Sequence, residues 1–244
     1  MGSLELDRMT WPEVKRELDA GRDTVVIAFG ATEQHGPHMP LATDALLGDH
    51  MARAVAEQLG AFVAPTVRIG CSSHHLDFPG TLSLSEPTFH AIVSDVVRSL
   101  ERGGFRTVVL LPTHGGNFAP LAAAVAALEG KTTIAVRALT DLGALFAVAQ
   151  RGEDEYGVPL GEGGLHAGEW ETSMLMAIHP DLVHAERFEP GFTGDAQAAI
   201  ARMFDAGVKS ISENGVVGDP ARASAQHGER YWEEALSIVS SRIA

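Results

Sequence analysis

Between Thr24 and Leu139, short apolar runs rich in β-branched residues alternate with longer helical patterns. The runs TVVIAF (Thr24 to Phe29) and TVVLLP (Thr107 to Pro112) are apolar at every position after the first, which is typical of strands buried on both faces. FVAP (62–65) and TTIAVRAL (132–139) predict two further strands of this kind. Strands that alternate with helices at this spacing favour an α/β fold. We therefore predict a three-layer α/β/α sandwich with a mostly parallel central sheet.

The segments between these strands carry signals for the start and the end of helices. TWPEVKREL opens with a capping box from Thr10 to Glu13, and Ser85 is placed to cap the helix that follows it. Glycines predict where the helices end, at Gly60, Gly103 and Gly130.

The pattern loosens beyond Leu139. The stretch from Gln150 to Gly164 is rich in glycine and acid and predicts a loop. A very apolar helix is predicted from Ala167 to Ile178, and a final amphipathic helix from about Ser224.

Composition narrows the class of protein. With 244 residues, 45% of them hydrophobic, the chain can bury one substantial core, so we predict a single domain over residues 1–244. A formal net charge of −14 disfavours nucleic acid and anionic membranes as partners. No apolar run has the length of a membrane span. The single cysteine, Cys71, suits a reducing cytoplasm.

The stretch GATEQHGPHMPLATD, between the first predicted strand and a helix, holds two acids and two histidines. Glu33 and His35 are two residues apart, so in an extended segment their side chains point the same way. Asp44 starts the helix, where a carboxylate either caps the backbone or bridges metals. The stretch therefore offers half of a metal site.

A second polar loop, PTHGGN, leaves the end of a later strand. In an open parallel sheet, ligands bind beyond the carboxyl ends of the strands, so His114 is expected near the first loop. The glycine pair after His114 lets the backbone approach another group closely.

The sequence HAGEWETS supplies a third element. His166 and Glu169 are three residues apart and share a face if the turn is helical, whereas Glu171 is rotated roughly 200° away from Glu169. A carboxylate in so apolar a helix needs a partner, and a cation is one. We assign Glu169 to the metal site, with a catalytic role beside His166, and Glu171 to a structural hydrogen bond.

Together these residues predict a metal centre without thiolates, which suits Zn, Mn or Fe(II). Its members are Glu33, His35, Asp44, His114 and Glu169, with His166 beside them. Taken alone, Asp44 is also consistent with a helix cap and His114 with a hydrogen-bonded loop histidine. His38, His74 and His75 are placed outside the ligand set, behind it or on the substrate side.

Four ordered segments, GATEQHGPHMPLATD, FPGTLSL, THGGN and HAGEWETSMLMAIHPDLV, resemble the creatininase family of metal-dependent amide hydrolases. The resemblance implies an α/β/α sandwich, often assembled as a hexamer, with two divalent metals per chain at the sheet edge. It implies that Glu33, Asp44 and His114 hold one metal and that His35 shares Asp44 with the other. His166 matches the histidine to which the family assigns proton transfer.

The sequence departs from creatininase itself at several positions. Creatininase has His-Tyr-Glu-Asn where this chain has His114-Gly115-Gly116-Asn117, so one glutamate ligand is missing. Creatininase carries an apolar residue at the position of Glu169, which we interpret as the replacement ligand. The tryptophans that enclose creatinine have no counterpart between Arg137 and Leu165, so creatinine is not the expected substrate.

We therefore predict amide hydrolysis by a metal-activated water at a binuclear centre, with zinc first and manganese or iron as alternatives. Ser73, His74 and Asn117 are the predicted substrate contacts. Specificity is assigned to the loop from Gln150 to Gly164 and to partner subunits of a homo-oligomer.

The substrate class stays open among a cyclic amide, a formamide and a small peptide. The branch of the family with His-Gly-Gly-Asn includes nucleotide formamide hydrolases and the mycofactocin maturation peptidase, whose tail the segment from Asn214 to Ala235 is similar to. Two other classes remain: a two-metal phosphoesterase, disfavoured because the four segments lack Lys and Arg, and a non-catalytic protein stabilised by metal.

Overall fold

A parallel sheet forms the centre of the molecule. The computed structural model describes residues 4–243, apart from the side chains of residues 144, 145, 196 and 197. The strands are β1 (Leu4–Glu5), β2 (Thr24–Phe29), β3 (Phe62–Val63), β4 (Thr107–Pro112) and β5 (Ala135–Ala138). Within the described range they form one five-stranded sheet in the order β1-β3-β2-β4-β5, and every neighbouring pair is parallel.

Helices cover both faces of this sheet. They are α1 (Trp11–Asp19), α2 (Thr43–Leu59), α3 (Glu86–Arg102), α4 (Phe118–Leu128), α5 (Gly143–Tyr156), α6 (Leu160–Gly163), α7 (Glu169–Ile178), α8 (Ala196–Ala206) and α9 (Ala225–Ile243). Successive residues of a strand point to opposite faces. Val26 and Ala28 accordingly pack with α2, α7 and α9, whereas Val25 and Ile27 pack with α1, α3 and α4. The fold is the predicted three-layer α/β/α sandwich.

The local signals in the sequence agree with the observed ends of several elements. β2 and β4 have the predicted bounds, and β3 and β5 are shorter than predicted. The carboxylate of Glu13 accepts a hydrogen bond of 2.7 Å from the Thr10 N–H, as in a capping box. Gly60 follows α2 in the left-handed conformation, with φ of 62°.

The predicted loop from Gln150 to Gly164 is wrong, because α5 extends to Tyr156 and α6 follows. Gly152 accounts for the error. This glycine lies inside α5, and a Cβ there would collide with the hydroxyl of Tyr231, so it serves close packing between helices and not a turn. The strand β1 and the helix α8 were not predicted. No helix within the described residues has the length and apolar character needed to cross a membrane.

The topology brings the two polar loops together. Phe29 and Pro112 are register partners, so β2 and β4 end at the same level. From there β2 leads to α2 on one face and β4 leads to α4, most of which packs on the other face. Such a reversal opens a crevice at the carboxyl ends of the strands, where ligands of open α/β sheets bind.

Candidate metal centre

The loop after β2 carries three buried polar groups into this crevice. Glu33 and His35 are fully buried, and Asp44 lies in the first turn of α2. Gly30 permits this arrangement, because a Cβ there would collide with the backbone of Asp44. The carboxylate of Asp44 does not cap α2, and its Oδ2 lacks a hydrogen-bond partner among the described residues.

The loop after β4 places His114 beside both acids. Its Nδ1 lies 3.2 Å from Glu33 Oε1 and 3.4 Å from Asp44 Oδ2. Gly116 has no room for a side chain, since a Cβ would collide with the Cys71 carbonyl and the His114 ring. A glutamate could not replace Gly116 without a shift of this loop.

The segment before α7 forms the third wall, and its backbone is strained. Ala167 has φ of 53°, unique among the non-glycine residues of the described chain, and this left-handed residue costs about 1–2 kcal/mol. It separates His166 from the helix, which begins only at Glu169. Glu171 then points back, and its Oε2 accepts a hydrogen bond of 2.7 Å from the Ala167 N–H. Its Oε1 lies 3.7 Å from His35 Nε2.

The structure places Glu169 away from this cluster, which corrects the prediction that it is a metal ligand. Its carboxylate accepts hydrogen bonds from Tyr231 Oη (2.6 Å), His227 Nδ1 (2.7 Å) and Ser173 Oγ (3.0 Å). The prediction took the turn from His166 to Glu169 as helical, so that a spacing of three residues gives a shared face. The left-handed Ala167 breaks that periodicity and gives the inward position to Glu171.

Hydrogen bonds to backbone carbonyls fix which nitrogen of each central histidine faces the acids. Nδ1 of His35 donates to the carbonyl of Glu33 at 3.1 Å. Nε2 of His114 donates to the carbonyl of Cys71 at 3.1 Å, and Nε2 of His166 donates to the carbonyl of Gln34 at 2.7 Å. A carbonyl only accepts, so the opposite nitrogen of each neutral ring keeps a lone pair directed at the cluster, as metal-binding histidines require.

His75 belongs to the cluster with a different role. The side-chain amide of Gln34 lies 2.9 Å from its Nδ1 and can donate there, which leaves the proton of a neutral ring on Nε2. That Nε2 lies 3.3 Å from Glu33 Oε1, although the two atoms do not form a hydrogen bond. His75 therefore turns an N–H, and not a lone pair, towards Glu33.

The cluster holds buried oxygens without hydrogen-bond donors. Both carboxylate oxygens of Glu33, Asp44 Oδ2 and His35 Nε2 lack a partner among the described residues. Burying such groups unpaired is costly, and a cation removes the cost. Three overlapping groups of residues could each hold an ion, because the ligand atoms within each group lie no more than 4.8 Å apart. The groups are Glu33 with His35 and Asp44, Glu33 with His75 and His166, and His35 with His166 and Glu171. The donor set fits divalent metal ions.

The electrostatics of these groups reflect the same demand for positive charge. Burial raises the pKa of Asp44, but His35 and His114 outweigh it and hold this pKa well below its usual range. Burial lowers the pKa of His35, yet Asp44 and Glu171 raise it well above the ordinary value. Burial also lowers the pKa of His114, but Glu33 and Asp44 outweigh it and raise this pKa well above the ordinary value. In the protein alone, protons on the imidazoles compensate the carboxylates, and a metal ion would displace those protons.

His166 differs from these two rings, because burial and the neighbouring His35 lower its pKa. It is neutral at pH 7, and its Nδ1 lies 3.8 Å from Glu33 Oε1. It can therefore accept a proton at the cleft.

The three predicted substrate contacts have separate outcomes. His74 lines the cleft and stacks on His114 with ring centroids 5.7 Å apart. Ser73 is exposed and does not line the cleft. Asn117 is fully buried: its Oδ1 accepts from the Cys71 N–H, and its Nδ2 donates to the carbonyls of Phe29 and Gly30. Asn117 holds the loops together and has no free polar atom for a substrate.

His38 also lies outside the cleft. It is fully buried, its Nε2 lies 3.0 Å from Thr172 Oγ1, and its ring meets the edge of Phe188. Burial and the neighbouring His35 lower its pKa to about 4.

A cleft of about 750 Å³, including its mouth, opens above the cluster. Its floor is polar and includes Glu33, Asp44, His75, His114, His166 and Glu171. Of the predicted specificity loop, only Gly164 lines the cleft, so the assignment of specificity to Gln150–Gly164 is corrected. Sequence reasoning missed Gln34 and undervalued His75. The one available signal was that Gln34 stands between two predicted ligands.

Comparison with known proteins gives one consistent result. The family model described as "Creatininase: Creatinine amidohydrolase" matches residues 7–243. A mycofactocin precursor peptide peptidase of Mycolicibacterium smegmatis is 35% identical over 236 residues, covering 93% of this chain and 87% of that protein.

Similarity to creatinine-hydrolysing proteins extends to the structure. A creatinine amidohydrolase of Pseudomonas putida is 34% identical over 205 residues, covering 76% of this chain and 75% of that protein. A mutant creatininase described as of the Zn-Zn type superposes with a TM-score of 0.82 at 28% identity, over 99% of this chain and 97% of that chain.

Proposed function

The chain belongs to the creatininase family, and from this premise we propose that it hydrolyses an amide C–N bond with the help of two divalent metal ions. The observation that carries the proposal is the group of buried oxygens without donors at the floor of an open cleft. A group of this kind stabilises cations, and its access to the cleft lets a substrate reach them.

We assign Glu33, Asp44 and His114 to one ion, and His35, Asp44 and Glu171 to the other. The assignment of Glu171 follows from its Oε1, which lies 3.7 Å from His35 Nε2 and lines the cleft. Asp44 is shared because its Oδ1 lies 3.5 Å from His35 Nε2 while its Oδ2 lies 3.4 Å from His114 Nδ1. When bound, the ions would act as Lewis acids that activate water and polarise the amide carbonyl.

The side chains of the protein supply the rest of the reaction. His166 carries the proton that the leaving nitrogen requires, since its neutral Nδ1 faces the cleft. The Gln34 carbonyl keeps its ring in this tautomer through the hydrogen bond from Nε2. His75 presents its Nε2 to Glu33 Oε1 at 3.3 Å and would help to hold this carboxylate in place.

The two other classes of function fit the site less well. A phosphoesterase needs Lys or Arg to clamp the anion, and the described lining of the cleft contains neither. A purely structural metal site is closed and usually rich in thiolate. This cluster is open to the cleft, and Cys71 is not in its lining.

The test combines metal counting with turnover. The metal-loaded protein is expected to contain about two ions per chain and to hydrolyse members of a panel of lactams, formamides and short peptides. His166→Gln should keep both ions and lose about 10²–10⁴-fold in kcat. Full activity in that variant would remove the role of His166, and one tightly enclosed ion per chain would favour the structural class.

Finer predictions rest on the resemblance alone. Zinc comes first as the metal because of the likeness to a Zn-Zn creatininase, although the same donors also suit manganese and iron. A peptidase of the mycofactocin type is the alternative favoured by the 35% identical relative. Assembly as a hexamer and a location in the cytoplasm stay predictions.

A further inference from the structure

Two helices form an apolar wall opposite the polar floor of the cleft. The wall consists of Leu142, Phe146, Ala149, Ile200, Met203 and Phe204. The first three are spaced i, i+4, i+7 at α5, and the last three i, i+3, i+4 on α8, so each set forms one stripe on one helix face. Neither helix supplies a polar side chain to the described lining.

The two aromatic rings of this wall are uncovered. Phe204 is 53% exposed and Phe146 is 39% exposed, whereas Met203 beside them is 6% exposed and packs with Val208 and Val217. Met203 therefore serves the protein interior, and the two phenylalanines face the cleft. An apolar ligand group that covers them removes apolar surface from water on both sides, which favours binding.

The wall reaches the reacting centre through a stack of rings. Phe204 packs on His74 with centroids 4.6 Å apart, and His74 stacks on His114 at 5.7 Å. Phe204 is therefore separated from His114 by the single ring of His74, so a group that contacts Phe204 lies on the side of the cleft that holds His114.

The charges of the cleft point to an uncharged group. Its described lining contains three carboxylates, of Glu33, Asp44 and Glu171, and no Lys or Arg. A phosphate or carboxylate on the substrate would find no Lys or Arg in the described lining to pair with. An ammonium group would lose its hydration against the apolar wall without a partner there.

We propose that the substrate carries an uncharged aliphatic or aromatic side chain adjacent to the scissile amide, and that Phe146 and Phe204 select it. The proposal rests on the proposed amidohydrolase function and deepens it. It excludes phosphorylated substrates and assigns specificity to α5 and α8.

The test uses one series of N-formyl amino acid amides with Phe, Leu, Ser, Asp or Lys side chains, so that only the side chain varies. In the metal-loaded wild type, kcat/KM for the Phe and Leu members should exceed that for Ser, Asp and Lys by about 10-fold or more. Phe204→Ala and, independently, Phe146→Ala should reduce kcat/KM for the Phe and Leu members about 10-fold more than kcat/KM for the Ser member. Trp11→Ala is the matched control, since this ring is 80% exposed on α1 and lies outside the cleft.

A binding measurement separates this proposal from the proposed function. Isothermal titration of the same series into chelated protein, where no turnover occurs, should show the same order of affinities and the same loss in both variants. If no amide is turned over, the proposed amidohydrolase function is overturned. The titration then tests by itself whether Phe146 and Phe204 select the side chain. Equal affinities across the series, or a preference that survives in both phenylalanine variants, would overturn the proposal.

Discussion

Helix α7 carries two buried carboxylates two residues apart, and they have opposite surroundings. Glu169 accepts hydrogen bonds from a phenol, an imidazole and a hydroxyl, at distances from 2.6 to 3.0 Å. Glu171 accepts one hydrogen bond, from the Ala167 N–H, and its other oxygen faces His35 across 3.7 Å. One acid has its donors within the protein, and the other is left facing the cleft.

This difference shows that the hydrogen-bond donors around a buried carboxylate indicate its role. A carboxylate supplied with donors is already stabilised as an anion and ties together the elements that provide them, here α7 with α9. A carboxylate grouped with other acids and with lone pairs of imidazoles is stabilised only by protons or cations. Glu169 therefore ties helices together, and Glu171 is the acid that we propose as a metal ligand.

The largest expected effect separates the two acids by metal affinity. Glu171→Gln should weaken binding of zinc by about 100-fold or more, since changes behind the ligands already cost about 10–100-fold. Glu169→Gln is the matched control on the same helix and should change the affinity by less than about 10-fold. Competition with a chromophoric chelator measures both values.

The reverse result, with zinc lost in Glu169→Gln and retained in Glu171→Gln, would restore the assignment made from the sequence. Circular dichroism of both chelated variants shows whether each one folds, so a loss of metal is not confused with unfolding.

The free energy of unfolding should depend on the same two acids in the opposite order, with the larger loss in Glu169→Gln. Glu169→Gln places an amide N–H group against donors in a fully buried site and should lower the free energy of unfolding by about 3 kcal/mol. Tyr231→Phe removes one of those donors and should cost about 1.5 kcal/mol. In chelated protein, Glu171→Gln should be neutral or stabilising, because it removes a charge from an acidic cluster. Urea denaturation of chelated protein tests the order, and a larger loss for Glu171→Gln would refute it.

Much of the fold could be predicted because its signals are local. The apolar runs of β2 and β4 and the capping box at Thr10 act over a few residues, and their predicted positions agree with the structure. The role of Gly152 could not be predicted in this way, because the reason for a glycine at this position is not local. It accommodates Tyr231, a residue of α9 that is far away in the sequence.

The residues that form the site could largely be predicted from the sequence, but the directions in which their side chains point could not. Glu33, His35, Asp44, His114 and His166 come together as expected because the ends of parallel strands meet at one edge. The choice between Glu169 and Glu171 depended on the φ angle of Ala167 and on donors 58 and 62 residues away. Asn117 was mistaken for a substrate contact because its backbone partners cannot be read from its neighbours in the sequence.

A smaller effect concerns pH. His35 and His114 have pKa values raised well above the ordinary value in the protein without metal, so their protons stabilise it fully below about pH 6.5, and this contribution is lost as the pH rises through the raised values. Zinc must displace these protons, so its dissociation constant should fall by about 10-fold or more from pH 6.5 to 8.5. Chelator competition across this range, with proton release followed in weak buffer, is the measurement. An affinity independent of pH would mean that neither ring binds metal.

The smallest expected effect tests why Glu171 and not Glu169 faces His35. At Ala167, the change Ala167→Gly relieves about 1 kcal/mol of left-handed strain but removes a buried methyl group worth about 0.8 kcal/mol, so the free energy of unfolding should change by less than about 0.5 kcal/mol. The control Ala124→Gly, buried within the regular helix α4, has no strain to relieve and should cost about 2 kcal/mol. Urea denaturation compares the two variants. Equal losses would show that Ala167 is unstrained, and the turn that directs Glu171 towards His35 would then need another cause.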